Sequence, residues 1–168
     1  MNDWLIHIIV PMIVSNVLHM VIVKKNYFSF LSIPVAEKAF GQNKTWRGFI
    51  ILPLLNGAAL FCLNLFTSFL DNGYAFVTGV VLGVVYMTFE LPNSWIKRKL
   101  GVASGASSEK RWLFTLMDKT DSSLGISLAA MVMFGFGVWE ALQLFLIAGL
   151  THFIFSYLLV LAGIKKSL

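Results

Sequence analysis

Charge is what this sequence has least of. Asp, Glu, Lys and Arg make up 12% of its 168 residues, against about 25% in a soluble domain. With 58% hydrophobic residues and a mean hydropathy of +0.80, a water-soluble globular domain is excluded. An integral membrane protein folded as one bundle is the reading that remains. Cysteine is nearly missing too. The one thiol, Cys62, leaves no disulfide within the chain, and its apolar setting predicts a small core residue. No cation precedes the first apolar run and no small-x-small cleavage pattern follows it, so that run is expected to be kept as a span rather than removed as a signal peptide. The three histidines, His7, His19 and His152, lie far apart inside apolar segments and read as packing or interface residues. No Ser-His-Asp or Cys-His set is present for nucleophilic catalysis, and no GxxxxGK[ST] loop for a P-loop nucleotide site.

Long apolar runs are abundant. A transmembrane helix needs about 20 apolar residues, and five segments qualify in whole or part: about Trp4 to Val23, Gly48 to Leu70, Tyr74 to Leu91, Leu124 to Val138 and Ala141 to Ile164, the last two separated by Trp139-Glu140. The expected fold is an all-α integral membrane protein of five transmembrane helices. It forms a single domain over residues 1–168, with cytoplasmic loops at about 24–47 and 92–120. All the cations fall on one side of these spans. Lys24, Lys25, Lys38, Lys44 and Arg47 lie in the first of those loops. Lys97, Arg98, Lys99, Lys110, Arg111 and Lys119 lie in the second, and Lys165 and Lys166 follow the last span. The other side keeps Asp3, Asp71 and Glu140 and no cation. By the positive-inside rule the N-terminus is outside, the C-terminus is cytoplasmic and both loops face inward, as in a multi-pass protein of the plasma membrane. The net charge of +5 then belongs to a basic inner face that attracts anionic lipid headgroups, and nucleic acid is a poor partner for cations held at membrane depth. Gly79 and Gly83 form a GxxxG in the third span, which permits close helix approach and leaves a homodimer open.

Two stretches carry chemistry. In the first loop, Tyr27, Phe28, Phe30, Leu31 and Ile33 beside Lys24 and Lys25 resemble a membrane-surface segment. The loop ends in Gly41-Gln42-Asn43-Lys44-Thr45-Trp46-Arg47-Gly48, whose glycine, lysine, hydroxyl and arginine at a helix entrance could cradle a phosphate. Plain positive-inside anchoring accounts for Lys44 and Arg47 about equally well. In the second loop, Glu90 stands at the inner end of a span, where an unpaired carboxylate is costly. Pro92 is expected to end that helix. If residues 93–98 resume helix, Ser94, Lys97 and Arg98 share a face. The stretch Gly101–Ser108 reads as a linker. Asp118 and Asp121, at i and i+3, can face the same way and suit Mg²⁺, which binds through one or two carboxylates plus substrate phosphates. The competing assignment makes Thr120, Asp121 or Ser122 a helix N-cap.

In combination these residues resemble the CDP-archaeol synthase family, itself similar to the phosphatidate cytidylyltransferases. The Gly-x-x-Lys-Thr-Trp-Arg-Gly element of that family matches Gly41 through Gly48. Its Ser-Phe-x-Lys-Arg element matches Ser94-Trp95-Ile96-Lys97-Arg98, and its Asp-x-x-Asp element matches Asp118 and Asp121, with Gly125 beyond. The likeness runs from about Asn16 to Gly125. Where the archaeal pattern has Gly-Asp, this chain has Phe89-Glu90, a departure in the direction of a bacterial branch. The resemblance implies a membrane enzyme that transfers CMP from CTP to a lipid phosphate, releasing pyrophosphate, with Mg²⁺ as cofactor. It implies Asp118, Asp121 and Glu90 as metal and catalytic residues with Lys97, and Lys44, Thr45, Arg47, Asn93, Ser94 and Arg98 as substrate-binding residues. Asn16, inside the first span, could line the cavity or serve as helix–helix glue. Two other classes compete: a small transporter, which would want ionisable groups at mid-membrane depth, and a non-catalytic lipid- or nucleotide-binding membrane protein.

Overall fold

The computed structural model describes residues 3–102 and 111–164. Its elements are all helical: α1 (Asp3–Lys24), a single turn α2 (Glu37–Phe40), α3 (Trp46–Thr67), α4 (Asn72–Lys99), α5 (Arg111–Phe134) and α6 (Val138–Leu161), with a 3₁₀ turn at Ser29–Leu31. Among the described residues there is no strand, only an isolated antiparallel pairing of Pro34 with Thr45. Four helices, α1, α3, α4 and α6, are long and apolar enough to cross a membrane, and between 17 and 33% of the most apolar stretch of each is buried inside the protein. The rest of that surface carries exposed apolar side chains such as Leu65, Phe66, Leu146 and Leu150. So much contiguous exposed hydrocarbon is stable only against an apolar medium, and the fold is that of a membrane-embedded helical bundle.

Helices α3 and α4 form the tightest pair, and small residues explain it. A Cβ on Gly79 would stand 2.7 Å from the Asn56 carbonyl oxygen, and one on Gly83 2.5 Å from Pro53 Cα. The GxxxG face of α4 is therefore used within the chain, against α3, and gives no support to a dimer. Polar side chains tie the bundle where apolar contact alone lacks direction. Asn56 Nδ2 donates to Gly79 O at 2.6 Å and Ser15 Oγ donates to Asn56 Oδ1 at 3.3 Å, linking α1, α3 and α4. Asn64 closes the α3–α4 loop through Leu70 N–H, Leu70 O and Asn72 Oδ1. The core comprises Ile8, Leu52, Leu82, Tyr86, Met87, Ile126, Ala130 and Leu144. At the end of the bundle that holds the α3–α4 loop, Trp4 packs on Phe69, Phe134 and Phe136. Lys44, Glu90, Lys97, Asp118 and Asp121 gather at the opposite end.

Four boundaries and one residue depart from the sequence reading. Helix α4 does not stop at Pro92 but runs through it to Lys99. At about 1.5 Å per residue its 28 residues reach roughly 42 Å, longer than the ~30 Å hydrocarbon layer, so its last turns stand clear of the apolar region. Proline is tolerated there, as Pro11 and Pro53 are in α1 and α3, because neighbouring groups re-satisfy a freed carbonyl. The expected loop at 92–120 is accordingly mostly helix, and of the linker at 101–108 the part from Ala103 onward lies outside the described residues. Asp118, Thr120, Asp121 and Ser122 lie well inside α5 rather than at its start, which removes the N-cap assignment. The break before α6 falls at Gly135–Gly137, not at Trp139-Glu140. Gly135 takes φ +69, and Glu140 Oε2 accepts the Gly137 N–H at 2.6 Å. Cys62 is exposed on α3 rather than in the core.

Candidate functional site

The first loop is folded back on itself in a way that fixes Lys44. Gly41 ends α2 with φ +82, a conformation open to glycine at little cost. Beyond it the chain pairs with the preceding strand-like segment: Val35 N–H donates to Lys44 O at 2.8 Å and Trp46 N–H to Ile33 O at 3.0 Å. Lys44 is thus held at the mouth of α3, and its Nζ donates to Glu90 Oε2 on α4. Each side chain of this ion pair is 19% exposed. Burial alone would favour the neutral amine. The Glu90 carboxylate outweighs it by charge and hydrogen bond, with Asp121 and Asp118 adding to the effect, so Lys44 is held above the ordinary lysine range.

The continuation of α4 past Pro92 brings Asn93 and Lys97 onto the face that meets α5, one helical turn apart. Asn93 is buried, and its Nδ2 donates to Asp118 Oδ1 at 2.6 Å and to Asp121 Oδ2 at 3.2 Å. The i and i+3 aspartates therefore converge, as expected, and an amide that neither helix could place alone spans them. Lys97 Nζ donates to both Asp118 oxygens, at 2.5 and 2.6 Å, and lies 5.5 Å from the centre of the Phe114 ring. Ser122 Oγ lies 3.0 Å from Asp121 Oδ1 and 3.4 Å from Glu90 Oε1. Three carboxylates and two ammonium groups, from the first loop, α4 and α5, thus form one connected cluster. It is graded in exposure: the Asp118 side chain is 47% exposed, while Ser122 is fully buried.

The remaining expected site residues are placed differently. Arg47 does not reach the cluster. Its Nη1 donates to Asn26 Oδ1 at 3.3 Å and to Tyr27 O at 3.1 Å, bracing a turn in which Asn26 and Phe28 take positive φ values of 55 and 53, strained for non-glycine residues. Its Nε is buried without a hydrogen-bond partner. Ser94 Oγ bonds to Glu90 O in its own helix at 3.0 Å. Thr45 precedes α3 without capping it through its side chain. Arg98 makes no ion pair among the described residues, and its Nε is buried and unpartnered. Of the N–H groups a phosphate cradle at α3 would offer, those of Trp46 and Gly48 are already bonded, to Ile33 O and Thr45 O.

Sequence reading gave no site role to four neighbours of this cluster, Ser122, Tyr86, His152 and His19. Ser122 bridges Asp121 and Glu90, and its position directly after Asp121 was a usable signal. Tyr86, four residues before Glu90 and so on the same helical face, accepts from Asn16 Nδ2 at 2.7 Å and stands 3.3 Å from His152 Nε2. No local pattern marks His152 or His19, because their partners lie on other helices. His19 sits by Glu90, Lys44 and Arg47. Asn16, Tyr86, Ser122 and His152 line a mainly apolar crevice of about 50 Å³ between α1, α5 and α6, with Ile9, Met12, Ile126 and Ala148 among its walls.

As a place for Mg²⁺, the donor set fits in part. Asp118 and Asp121 present hard carboxylate oxygens side by side, and the buried Asn93 Oδ1 beside them has no hydrogen-bond partner, an arrangement suited to an ion that also takes substrate phosphates. Glu90 is committed to Lys44, and among the described residues no three acidic, histidine or cysteine groups converge into a metal cage. No protein family, curated protein or solved structure matches the chain.

Proposed function

We propose that the protein is a CTP-dependent cytidylyltransferase that transfers CMP to a lipid phosphate of the phosphatidic or archaetidic acid type, giving a CDP-lipid and pyrophosphate for phospholipid synthesis. The observation that carries this reading is the meeting of Lys44 with Glu90, and of Lys97 and Asn93 with Asp118 and Asp121, from three separate segments at one end of a membrane bundle. A mixed acidic and basic site at a membrane surface, graded from exposed to buried, suits a reaction between a water-borne polyphosphate and a membrane-borne phosphate. In it α5 serves as a fifth span, the N-terminus lies outside, and the cluster faces the cytoplasm of a plasma membrane, where the cations of the chain belong.

Nucleotidyl transfer needs charge neutralised and oxygens aligned more than it needs a covalent partner in the protein. A lipid phosphate oxygen attacks the α-phosphorus of CTP, the bond from that phosphorus to the bridging oxygen breaks, and pyrophosphate leaves with the electron pair. Asp118 and Asp121 would hold Mg²⁺, which supplies charge neutralisation on the phosphates when bound. Lys97 and Lys44, paired with carboxylates in the ligand-free chain, exchange those partners for phosphate oxygens as the substrates arrive. Arg98, with its unmatched Nε, is the nearest further donor on α4. Asn93 keeps the two aspartates together, and Glu90 positions Lys44. Radiolabelled CTP and Mg²⁺ given to the purified protein with a panel of lipid phosphates should yield labelled CDP-lipid. Asp118→Asn or Asp121→Asn should abolish the product while the protein still inserts and folds. Retained turnover in both variants removes these residues from the mechanism. CTP binding with no turnover on any lipid phosphate leaves the second reading, a non-catalytic nucleotide- and lipid-binding protein, which the exchange of Gly-Asp for Phe89-Glu90 favours.

A further inference from the structure

The crevice between α1, α5 and α6 is not accounted for by the chemistry of the charged cluster alone, yet it shares a wall with that cluster. Ser122 lines the crevice and also contacts Asp121 and Glu90. The crevice walls change character along their length. On α1, α4 and α5 they carry Asn16, Tyr86 and Ser122 toward the cluster and Ile8, Ile9, Met12 and Ile126 away from it, while on α6 His152 lies between Ala148 and the inner residues Phe155, Ser156 and Leu159. From Asn16 back to Ile9 the α1 axis advances about 10 Å, at 1.5 Å per residue. Polar groups at membrane depth are costly and carry function more often than not. Here Asn16, Tyr86 and His152 form a connected set in a slot whose other walls are mainly hydrocarbon, with Ser122, Ser123, Thr151 and Ser156 as the remaining polar side chains. A slot with hydrogen-bonding groups at one end and aliphatic walls beyond matches an amphiphile, not a nucleotide.

We propose that this crevice is the binding site of the acceptor lipid. A short segment of one hydrocarbon chain seats against Ile9, Met12, Ile126 and Ala148, and the rest of that chain lies in the bilayer between α1 and α6. The Asn16, Tyr86 and His152 side chains hydrogen-bond the oxygens that link chain to headgroup, and the phosphate comes to rest at Ser122, facing Asp121 and Glu90. The aqueous substrate then approaches from the exposed Asp118 side and the lipid from the opposite side, so the two meet across Ser122. The fate of that phosphate rests on the cytidylyl-transfer reading; the site itself does not.

The test uses the full chain in nanodiscs of phosphatidylcholine carrying a small fraction of phosphatidic acid with a photoreactive diazirine in its acyl chain. After irradiation, adducts should concentrate on α1 and α6 peptides containing Ile9, Met12 and Ala148. Excess unlabelled phosphatidic acid should compete them away and excess phosphatidylcholine should not. Ala148→Trp, which fills the slot, should cut labelling at least tenfold while radiolabelled CTP still binds. Tyr86→Phe, which keeps the ring and the packing, should raise the phosphatidic acid concentration needed for half-maximal labelling several-fold, so that a misfolded Ala148→Trp protein does not decide the matter. Labels spread over outward residues such as Phe66 and Val132, indifferent to both substitutions, overturn the proposal. Crevice labelling in a protein that never turns over CTP upholds the site and removes the transferase reading. Turnover with labels elsewhere removes the crevice and leaves the reaction.

Discussion

At the scale of single residues, the two lysines of the cluster differ in what their loss should cost. Lys44 and Glu90 are largely out of solvent, so removing one partner strands a buried charge, at about 3–5 kcal/mol. Lys97 is as buried as Lys44, with 15% of its side chain exposed. The aspartate its loss would leave behind, however, is 47% exposed and solvated, and pairs with an exposed partner contribute about 0–1 kcal/mol. Lys44→Ala should therefore lower thermal stability strongly, and Lys97→Ala hardly at all, while both lose CDP-lipid formation. Adding Glu90→Gln to Lys44→Ala should restore much of the stability and none of the turnover, a non-additivity that a double-mutant cycle in thermal denaturation measures. Equal destabilisation by the two lysine variants would contradict the assigned burial. Because Lys44 is held above the ordinary lysine range, its contribution is complete at neutral pH and is lost only as pH climbs through that raised value. A loss of activity near neutrality must come from other groups.

At the scale of the element, the position of the site depends on how closely α5 approaches α4. Gly125 is the contact point: a Cβ there would lie 2.4 Å from Phe89 Cγ and 2.8 Å from Phe89 Cβ. The second atom is fixed to the backbone, so rotating the ring does not relieve the clash and the helices must part. Phe89 adjoins Glu90, and Gly125 lies one turn from Ser122 and Asp121. Gly125→Ala should therefore cost about 1–3 kcal/mol through overpacking. It should also cut kcat by up to about a hundredfold, the scale of an ångström-sized misplacement, with helical content unchanged by circular dichroism. Gly73→Ala, whose added methyl meets nothing within 4 Å, is the control that should leave both untouched. The same element marks what the sequence could reveal. The apolar runs located α1, α3 and α6, and the start of α4, to within a few residues because a span has a length requirement. The i and i+3 spacing located Asp118 and Asp121. Pro92 misled, since a proline signals a helix end only where the lost hydrogen bond has no other remedy. Cys62 misled for a related reason: in a bundle surrounded by lipid, apolar surroundings in the sequence do not separate core from exterior. Arg47 carried the right chemistry, but a strained turn at Asn26 and Phe28 claimed it, and no linear pattern states where a side chain will turn.

At the scale of the whole molecule, the proposed reaction is tenable only if the charged end of the bundle faces the compartment that holds nucleotide. The even alternation of α1, α3, α4, α5 and α6 puts the Lys44 loop, the end of α4 and the start of α5 at one end. The α3–α4 loop, through Phe69, and the Gly135–Gly137 break, through Phe134 and Phe136, both meet Trp4 at the other. Lys24, Lys25, Lys38, Lys44, Arg47, Lys97, Arg98 and Lys99 belong to the first end, and retention of such clusters on the cytoplasmic side is what orients a polytopic protein. Two single-cysteine proteins in a Cys62→Ser background read the outcome. Cys62 is exposed on α3, so its replacement leaves the core intact. Gln42→Cys marks the exposed first loop, and Gly73→Cys marks the opposite end, where there is open space for the thiol. In intact cells a membrane-impermeant maleimide should modify Gly73→Cys at once and Gln42→Cys only after permeabilisation. The reverse pattern would put Lys44, Glu90 and both aspartates outside, beyond reach of any intracellular nucleotide, and would end the transferase reading whatever the geometry of the cluster. Equal labelling of both thiols in intact cells would mean that the two ends share a compartment, and would refute the crossing by α3 on which the placement of the site depends.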